Sequence, residues 1–282
     1  MGSPQTFNNY KCLESAFSLW QRQTCVPAIP TFCQNLDKIL GNNGIELGAI
    51  TELVGLPGTG KTQFCLQLCA SVQIPKCLNG LDGEALYIDT NTNFRISRFK
   101  EIAVHSYLKC QNLLNKELNV STEEFLNKLH YIDGFGLVNY CAAIHKLPDY
   151  ICDHPNIRLI VIDSIIFPFK EGIDEKDRTR LLFQHFAQLQ RVAMDKQIAI
   201  IITNEMSTRV GLSHGQVVGA AGDSWTHRCN TRILLSEQDG YRVAAVLKSN
   251  ASTGSKPVAG TDVSFIYVLW SSCFYDTSTL VS

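Results

Sequence analysis

No apolar run in this sequence approaches the roughly 20 residues a bilayer-crossing helix needs, which argues against a helical membrane span. The first thirty residues lack a basic start followed by an apolar stretch, so no secretory signal peptide is legible. Charge of either sign is not in excess. The 25 Lys and Arg against 26 Asp and Glu give a formal net charge of −1, without global bias toward nucleic acid or membrane surfaces. Eleven cysteines are present, yet none forms a C-x-x-C pair. The absence argues against thiolate zinc sites, and the odd count against a closed disulfide framework. Cys65 and Cys69 fall at helical spacing among apolar residues, the pattern of small buried hydrophobes in a reducing, intracellular protein. No guanine-reading Asn-Lys-x-Asp sequence and no Lys/Arg cluster resembling a nuclear import signal is visible.

What is present centres on Gly55-Leu56-Pro57-Gly58-Thr59-Gly60-Lys61-Thr62. The apolar run Ala49–Val54 precedes it and a helical pattern opens at Gln63, the strand-to-helix context a phosphate-binding loop requires. Glycines let successive N–H groups turn inward around phosphate oxygens. Lys61 supplies charge for the β- and γ-phosphates, Thr62 a hydroxyl for Mg²⁺, and the helix its positive dipole end. Together, Gly55, Leu56, Pro57, Gly58, Thr59, Gly60, Lys61, Thr62 and Gln63 are the expected nucleotide contacts.

The 282 residues, 45% of them hydrophobic, suffice for one large domain. Residues 1–30 read as a short lead segment that carries no chemistry, and 31–282 as the core. Residues 31–40 predict a short amphipathic helix. Strands are expected at 85–89, 129–132, 158–163 and 198–203, and helices at 96–108, 137–153 and 177–196. Strands alternating with helices predict an α/β fold, a mostly parallel sheet with helices on both faces. From residue 232 the pattern changes to three strands, 232–236, 241–248 and 263–269, the first pair joined by an Asp-Gly turn. They predict an antiparallel extension. Asp163 closes an apolar strand at the carboxyl edge, where ligands sit in open α/β sheets, and fits a second Mg²⁺ ligand.

Several stretches resemble the RecA/RadA strand-exchange recombinases. They are residues 44–53, the phosphate loop through Gln63, Tyr87-Ile88-Asp89-Thr90, Ile160-Val161-Ile162-Asp163-Ser164 and Ile202-Thr203-Asn204. Within that family Ile29–Cys33, Gln73–Cys77, Leu147–Tyr150, Phe167–Lys170 and Gly222–Trp225 are similar to the eukaryotic recombinase paralogue of the C type. The resemblance runs in order over about residues 31–270. It implies a RecA-like core, ATP and Mg²⁺ as ligands, and a nuclear role in homologous recombination and break repair, meiosis included. It also implies other recombinase paralogues as partners, and single-stranded DNA. The lead segment lacks a Phe-x-x-Ala docking motif, which favours a hetero-oligomer over a self-assembled filament.

Two departures fall at the reacting end of the implied site. Where the family carries a Glu that activates the attacking water, this chain has Asn91. An amide orients water but accepts no proton, a loss that typically costs about 10²–10⁴ in rate. Where the family carries a γ-phosphate-sensing Gln, this chain has Glu205, an anion beside an anion. Weak or absent hydrolysis with retained binding is expected; a DNA-stimulated ATPase running strand exchange, or an adaptor with a vestigial site, are the alternatives. The resemblance also implies two DNA-facing loops, roughly 167–178 and 205–223. The first balances Lys170, Lys176 and Arg178 against four acidic residues, and the second offers Arg209 and His214. Affinity for nucleic acid rests on neutralising phosphates, so single-stranded DNA is expected to bind weakly.

Overall fold

In chain order the strands and helices are β1 (Ala28–Ile29), α1 (Gln34–Ile39), β2 (Ile45–Glu46), β3 (Ile50–Gly55), α2 (Lys61–Ser71) and β4 (Glu84–Asp89). They continue with α3 (Ile96–Leu114), α4 (Thr122–Asn127), β5 (Leu129–Asp133), α5 (Leu137–Asp153), β6 (Ile157–Asp163) and α6 (Glu175–Lys196). The rest are strands: β7 (Ala199–Thr208), β8 (Val217–Gly219), β9 (Thr231–Gln238), β10 (Tyr241–Lys248), β11 (Ser264–Leu269) and β12 (Phe274–Asp276). This computed structural model describes residues 15–18, 27–41, 44–115, 121–170, 172–208, 217–219, 227–238, 241–249, 264–269 and 274–276. Of the lead segment only residues 15–18 and 27–30 are among them, and the Asp239-Gly240 turn lies outside them.

Ten strands form the main sheet, in the order β12-β11-β10-β9-β3-β7-β6-β4-β5, with β8 paired to β7. From β9 to β5 every neighbouring pair is parallel, whereas β9 to β12 run antiparallel to one another. The expected parallel core with an antiparallel extension is the fold observed. Period-two alternation explains its two cores. Leu159, Val161, Ala199 and Ile201 face α2 and α3, and Ile160, Ile162, Ile200 and Ile202 face α5 and α6. All of α2 from Phe64 to Ser71 is buried, so this helix is covered by neighbours on every side rather than amphipathic.

Some boundaries differ from expectation for local reasons. The helix expected over 31–40 spans only 34–39, because Asp37 turns back to accept hydrogen bonds from Thr31 N (2.9 Å) and Oγ1 (2.8 Å). Burial pushes the Asp37 carboxyl up to about 6 despite those two bonds. The strand expected to end at Thr203 continues to Thr208, since Asn204 and Glu205 pair with Val54 and Gly55 of β3. Helix α5 contains Pro148, which offers no N–H to the Ile144 carbonyl four residues earlier. Gln188 Nε2 of α6 donates to that carbonyl at 2.7 Å.

Candidate functional site

The carboxyl ends of β3, β4, β6 and β7 border a cleft of about 450 Å³. Its lining includes Pro57, Gly58, Gly60, Lys61, Thr62 and Gln63 from the phosphate loop. A Cβ at Gly55 would lie 2.4 Å from the Leu235 carbonyl oxygen and 2.6 Å from Thr59 Oγ1, so the loop passes over β9 only with glycine there. Gly60 caps α2 in the left-handed region at φ 95°. Lys61 Nζ donates to the carbonyls of Gly55 (2.8 Å) and Leu56 (2.9 Å), holding its ammonium inside the loop. Burial pulls Lys61 below the ordinary lysine range, opposed by the negative charges of Asp163 and Glu205.

Asp163 is 3% exposed, and three hydroxyls satisfy its carboxylate. Thr62 Oγ1 donates to Oδ2 at 2.6 Å, Tyr87 Oη to Oδ2 at 2.8 Å, and Thr203 Oγ1 to Oδ1 at 2.6 Å. Burial together with Asp163 pushes the Tyr87 phenol well above its ordinary range, so it stays a donor. The Asp163–Ser164 peptide is cis, and Thr90 Oγ1 bonds both Ser164 N (2.7 Å) and Ser164 O (2.8 Å). A threonine hydroxyl and a buried carboxylate at bonding distance are hard oxygen donors, a set that fits one edge of an Mg²⁺ shell. The donor chemistry of Lys61, Gly60 and the amino end of α2 fits a polyphosphate.

Asn91 and Glu205 enter the same cleft from β4 and β7. Asn91 is half-buried, and its Oδ1 accepts from Asn93 N at 3.3 Å. Glu205, expected as an anion beside the phosphates, has a cationic partner in the structure. Lys170 Nζ lies 2.6 Å from Glu205 Oε2 and 4.8 Å from the Phe167 ring centroid. Fully buried Glu52 of β3 fixes the approach of this strand end, receiving Arg232 Nε from β9 and Asn204 Nδ2 (2.7 Å) from β7.

The two ends of the expected loop over 167–178 are regular structure. Phe167–Phe169 form a 3₁₀ turn, and α6 starts at Glu175, capped by Asp174 Oδ1 accepting from Asp177 N at 2.8 Å. Lys176 and Arg178 therefore stand on a helix, and Arg178 lies 4.0 Å from Glu175. Arg209 and His214 lie outside the described residues.

Arginines that the sequence did not single out complete the cleft: Arg95, Arg98 and Arg242. Arg98 Nε donates to Gln63 Oε1 at 3.0 Å, and an Arg242 guanidinium nitrogen to the Gly58 carbonyl at 2.9 Å. Arg95 and Arg98 lie four to seven residues past Asn91, a signal available in sequence. Arg242 arrives from the antiparallel extension, 184 residues from Gly58, and local pattern gives no hint of it.

A parallel sheet with its phosphate loop after a central strand and an acidic strand end beside it defines an α/β protein with a RecA-like core. The family model described as Rad51 matches residues 21–258. This chain belongs to the Rad51 family. It is 34% identical over 245 residues to "DNA repair protein RAD51 homolog 3" of Cricetulus griseus, covering 83% of this chain and 67% of that relative. The protein of the same name from Dictyostelium discoideum is 34% identical over 232 residues, 78% of this chain and 60% of the relative. "DNA repair and recombination protein RadA" of Metallosphaera sedula is 32% identical over 234 residues, 81% of this chain and 68% of that protein. The chain thus spans about two thirds of the length of these relatives.

Proposed function

We propose that this chain is an ATP- and Mg²⁺-binding recombination factor that acts in homologous recombination and double-strand break repair, meiotic repair included. It works in the nucleus with other recombinase paralogues and assists the main recombinase on single-stranded DNA. The observation that carries the nucleotide reading is the Thr62–Asp163 contact of 2.6 Å beside a phosphate loop whose lysine is already held inside it. The names of the relatives, which speak of DNA repair and recombination, support the process.

Mg²⁺, when bound, neutralises and orients the β- and γ-phosphates. Thr62 and Asp163 hold it, Lys61 and the loop amides bind the phosphates, and Arg98 with Gln63 borders the cleft wall. Asn91 positions a water without removing its proton, so turnover is slow. ATP then acts as an assembly ligand, stabilising the fold and its interfaces by mass action. A second reading has one observation in its favour. Glu205 reaches the cleft with its charge offset by Lys170, so a relocated carboxylate could serve as base in a DNA-stimulated ATPase. Single-turnover ATP hydrolysis, with a co-purified partner present, tests the two. Near-background wild-type turnover supports the assembly ligand, and robust turnover that Glu205→Gln destroys supports the relocated base.

A further inference from the structure

At the opposite end of the strands from the cleft, three side chains from separate elements converge. Glu84 opens β4, His130 lies second in β5, and His154 follows the last turn of α5. Glu84 and Asp89 bound the same strand, so the cluster stands roughly 17 Å from the nucleotide end at ~3.3 Å per residue. One carboxylate oxygen and one ring nitrogen from each histidine all lie within 4.8 Å of one another. His130 Nε2 is already 2.8 Å from Glu84 Oε2. The His130 and His154 ring centroids are 4.7 Å apart.

The groups behind these ligands are also in place. His130 Nδ1 lies 2.9 Å from the Tyr150 hydroxyl, and Asn156 Nδ2 donates to Glu84 Oε1 at 3.4 Å. The His154 ring packs 4.4 Å from that of Tyr150. Each arrangement fixes a ring or carboxylate while leaving its other atom turned toward the cluster, as metal-ligating histidines and carboxylates require. A plain strand-to-strand His–Glu pair uses one histidine. The second histidine, brought within ligand distance from the end of a helix, is what a metal site adds.

We propose that Glu84, His130 and His154 form a binding site for a Zn²⁺-class divalent cation, with water in the fourth position. Two imidazoles and a carboxylate are a donor set zinc accepts, at about 2.0–2.2 Å per bond, which asks the three ligand atoms to settle roughly 3.4 Å apart, the His130–Glu84 pair opening from 2.8 Å. The ion takes the place of the proton shared between His130 Nε2 and Glu84 Oε2. The neutral ring changes tautomer, that proton passing by solvent exchange from Nε2 to Nδ1, and Nδ1–H then donates to the Tyr150 oxygen. The bound ion clips edge strand β5 and the end of α5 to β4. Cysteine spacing is silent about this site because no thiolate takes part.

The test uses the whole chain, stripped with chelator and titrated with Co²⁺ as spectroscopic probe and with Zn²⁺ as ligand. A visible Co²⁺ band without near-ultraviolet thiolate charge transfer is expected, and saturating Zn²⁺ raises Tm by about 5 °C. Glu84→Gln and His154→Gln both lose the band and the shift, while their metal-free Tm stays within a few degrees of wild type. Tyr150→Phe keeps the band with affinity weakened about 10-fold. If Zn²⁺ leaves Tm unmoved, or if the band is thiolate in character and survives His154→Gln, the site does not exist.

Discussion

The two walls of the nucleotide cleft differ in what they keep of the family pattern. On the phosphate-loop wall, Gly55, Gly60, Lys61, Thr62 and the facing Asp163 carry the motif, and Thr62 lies 2.6 Å from Asp163. On the opposite wall, Asn91 and Glu205 stand where the resemblance implies a base and a sensor, and Glu205 is paired with Lys170. The first wall holds a ligand through static groups: amides, an ammonium, a hydroxyl. The second acts on a ligand, and its job depends on proton affinity. On the function proposed above, substitution there spares binding while removing the chemistry, as in a protein that uses nucleotide as a structural ligand.

The comparison breaks most completely at Lys61. Lys61→Ala abolishes ATP-dependent thermal stabilisation, and Thr62→Ala weakens it chiefly when Mg²⁺ is present. Melting curves at matched ATP decide it: an undiminished ATP shift in Lys61→Ala removes the binding wall from the account. On the other wall, Asn91→Glu restores a proton acceptor and raises single-turnover hydrolysis by 10-fold or more, part of the 10²–10⁴ that a general base supplies. Glu205→Gln tightens ATP binding about 3-fold by removing a negative charge near the phosphates, through effects of the kind neighbouring charges exert. Because both side chains border one cleft, the double variant departs from additivity.

A smaller effect concerns DNA. Lys170 is committed to Glu205, so wild-type affinity for single-stranded DNA has a shallow salt dependence. Glu205→Gln frees that ammonium and steepens the slope of log affinity on log salt by up to about 0.7, one phosphate's worth. A wild-type slope already near that of a many-phosphate binder contradicts the pairing. Smallest is Tyr87→Phe, which leaves Asp163 two of its three hydroxyl donors. It lowers stability by about 1 kcal/mol in denaturant titration and leaves ATP affinity within 2-fold, since the Thr62–Asp163 contact stays. A larger loss of affinity means Tyr87 positions the metal carboxylate.

Much of the sheet was legible because its strands obey simple patterns. Ile160-Val161-Ile162 and Ile200-Ile201-Ile202 are apolar at every position because both faces are covered, and such runs leave little ambiguity. The polar tail of β7 was not legible: Asn204 and Glu205 continue the strand only because β3 offers Val54 and Gly55 as partners. Helix α4 was missed despite its signal, Ser121 with Glu124 three residues on, whose N–H the Ser121 hydroxyl accepts at 3.3 Å. Within the cleft, motif residues adjacent in sequence were legible. Arg242 and the Lys170–Glu205 pair arise from long-range packing and have no local signature. The buried charge of Glu52 was hidden for the same reason, since its partners Arg232 and Asn204 come from other strands.

The bond from Gln188 to the Ile144 carbonyl has a bearing on how this sequence can drift. While Pro148 is present, Gln188→Leu strands a carbonyl in a half-buried seam between α5 and α6, a defect of about 1–3 kcal/mol. Once Pro148 becomes alanine, the backbone regains its own donor and Gln188 is released to change freely. The two positions are therefore ordered in time: a descendant that loses proline first passes through a tolerated intermediate, and one that loses glutamine first does not. A proline within one helix thus conserves a residue on its neighbour, and sequence history at 188 is conditional on 148.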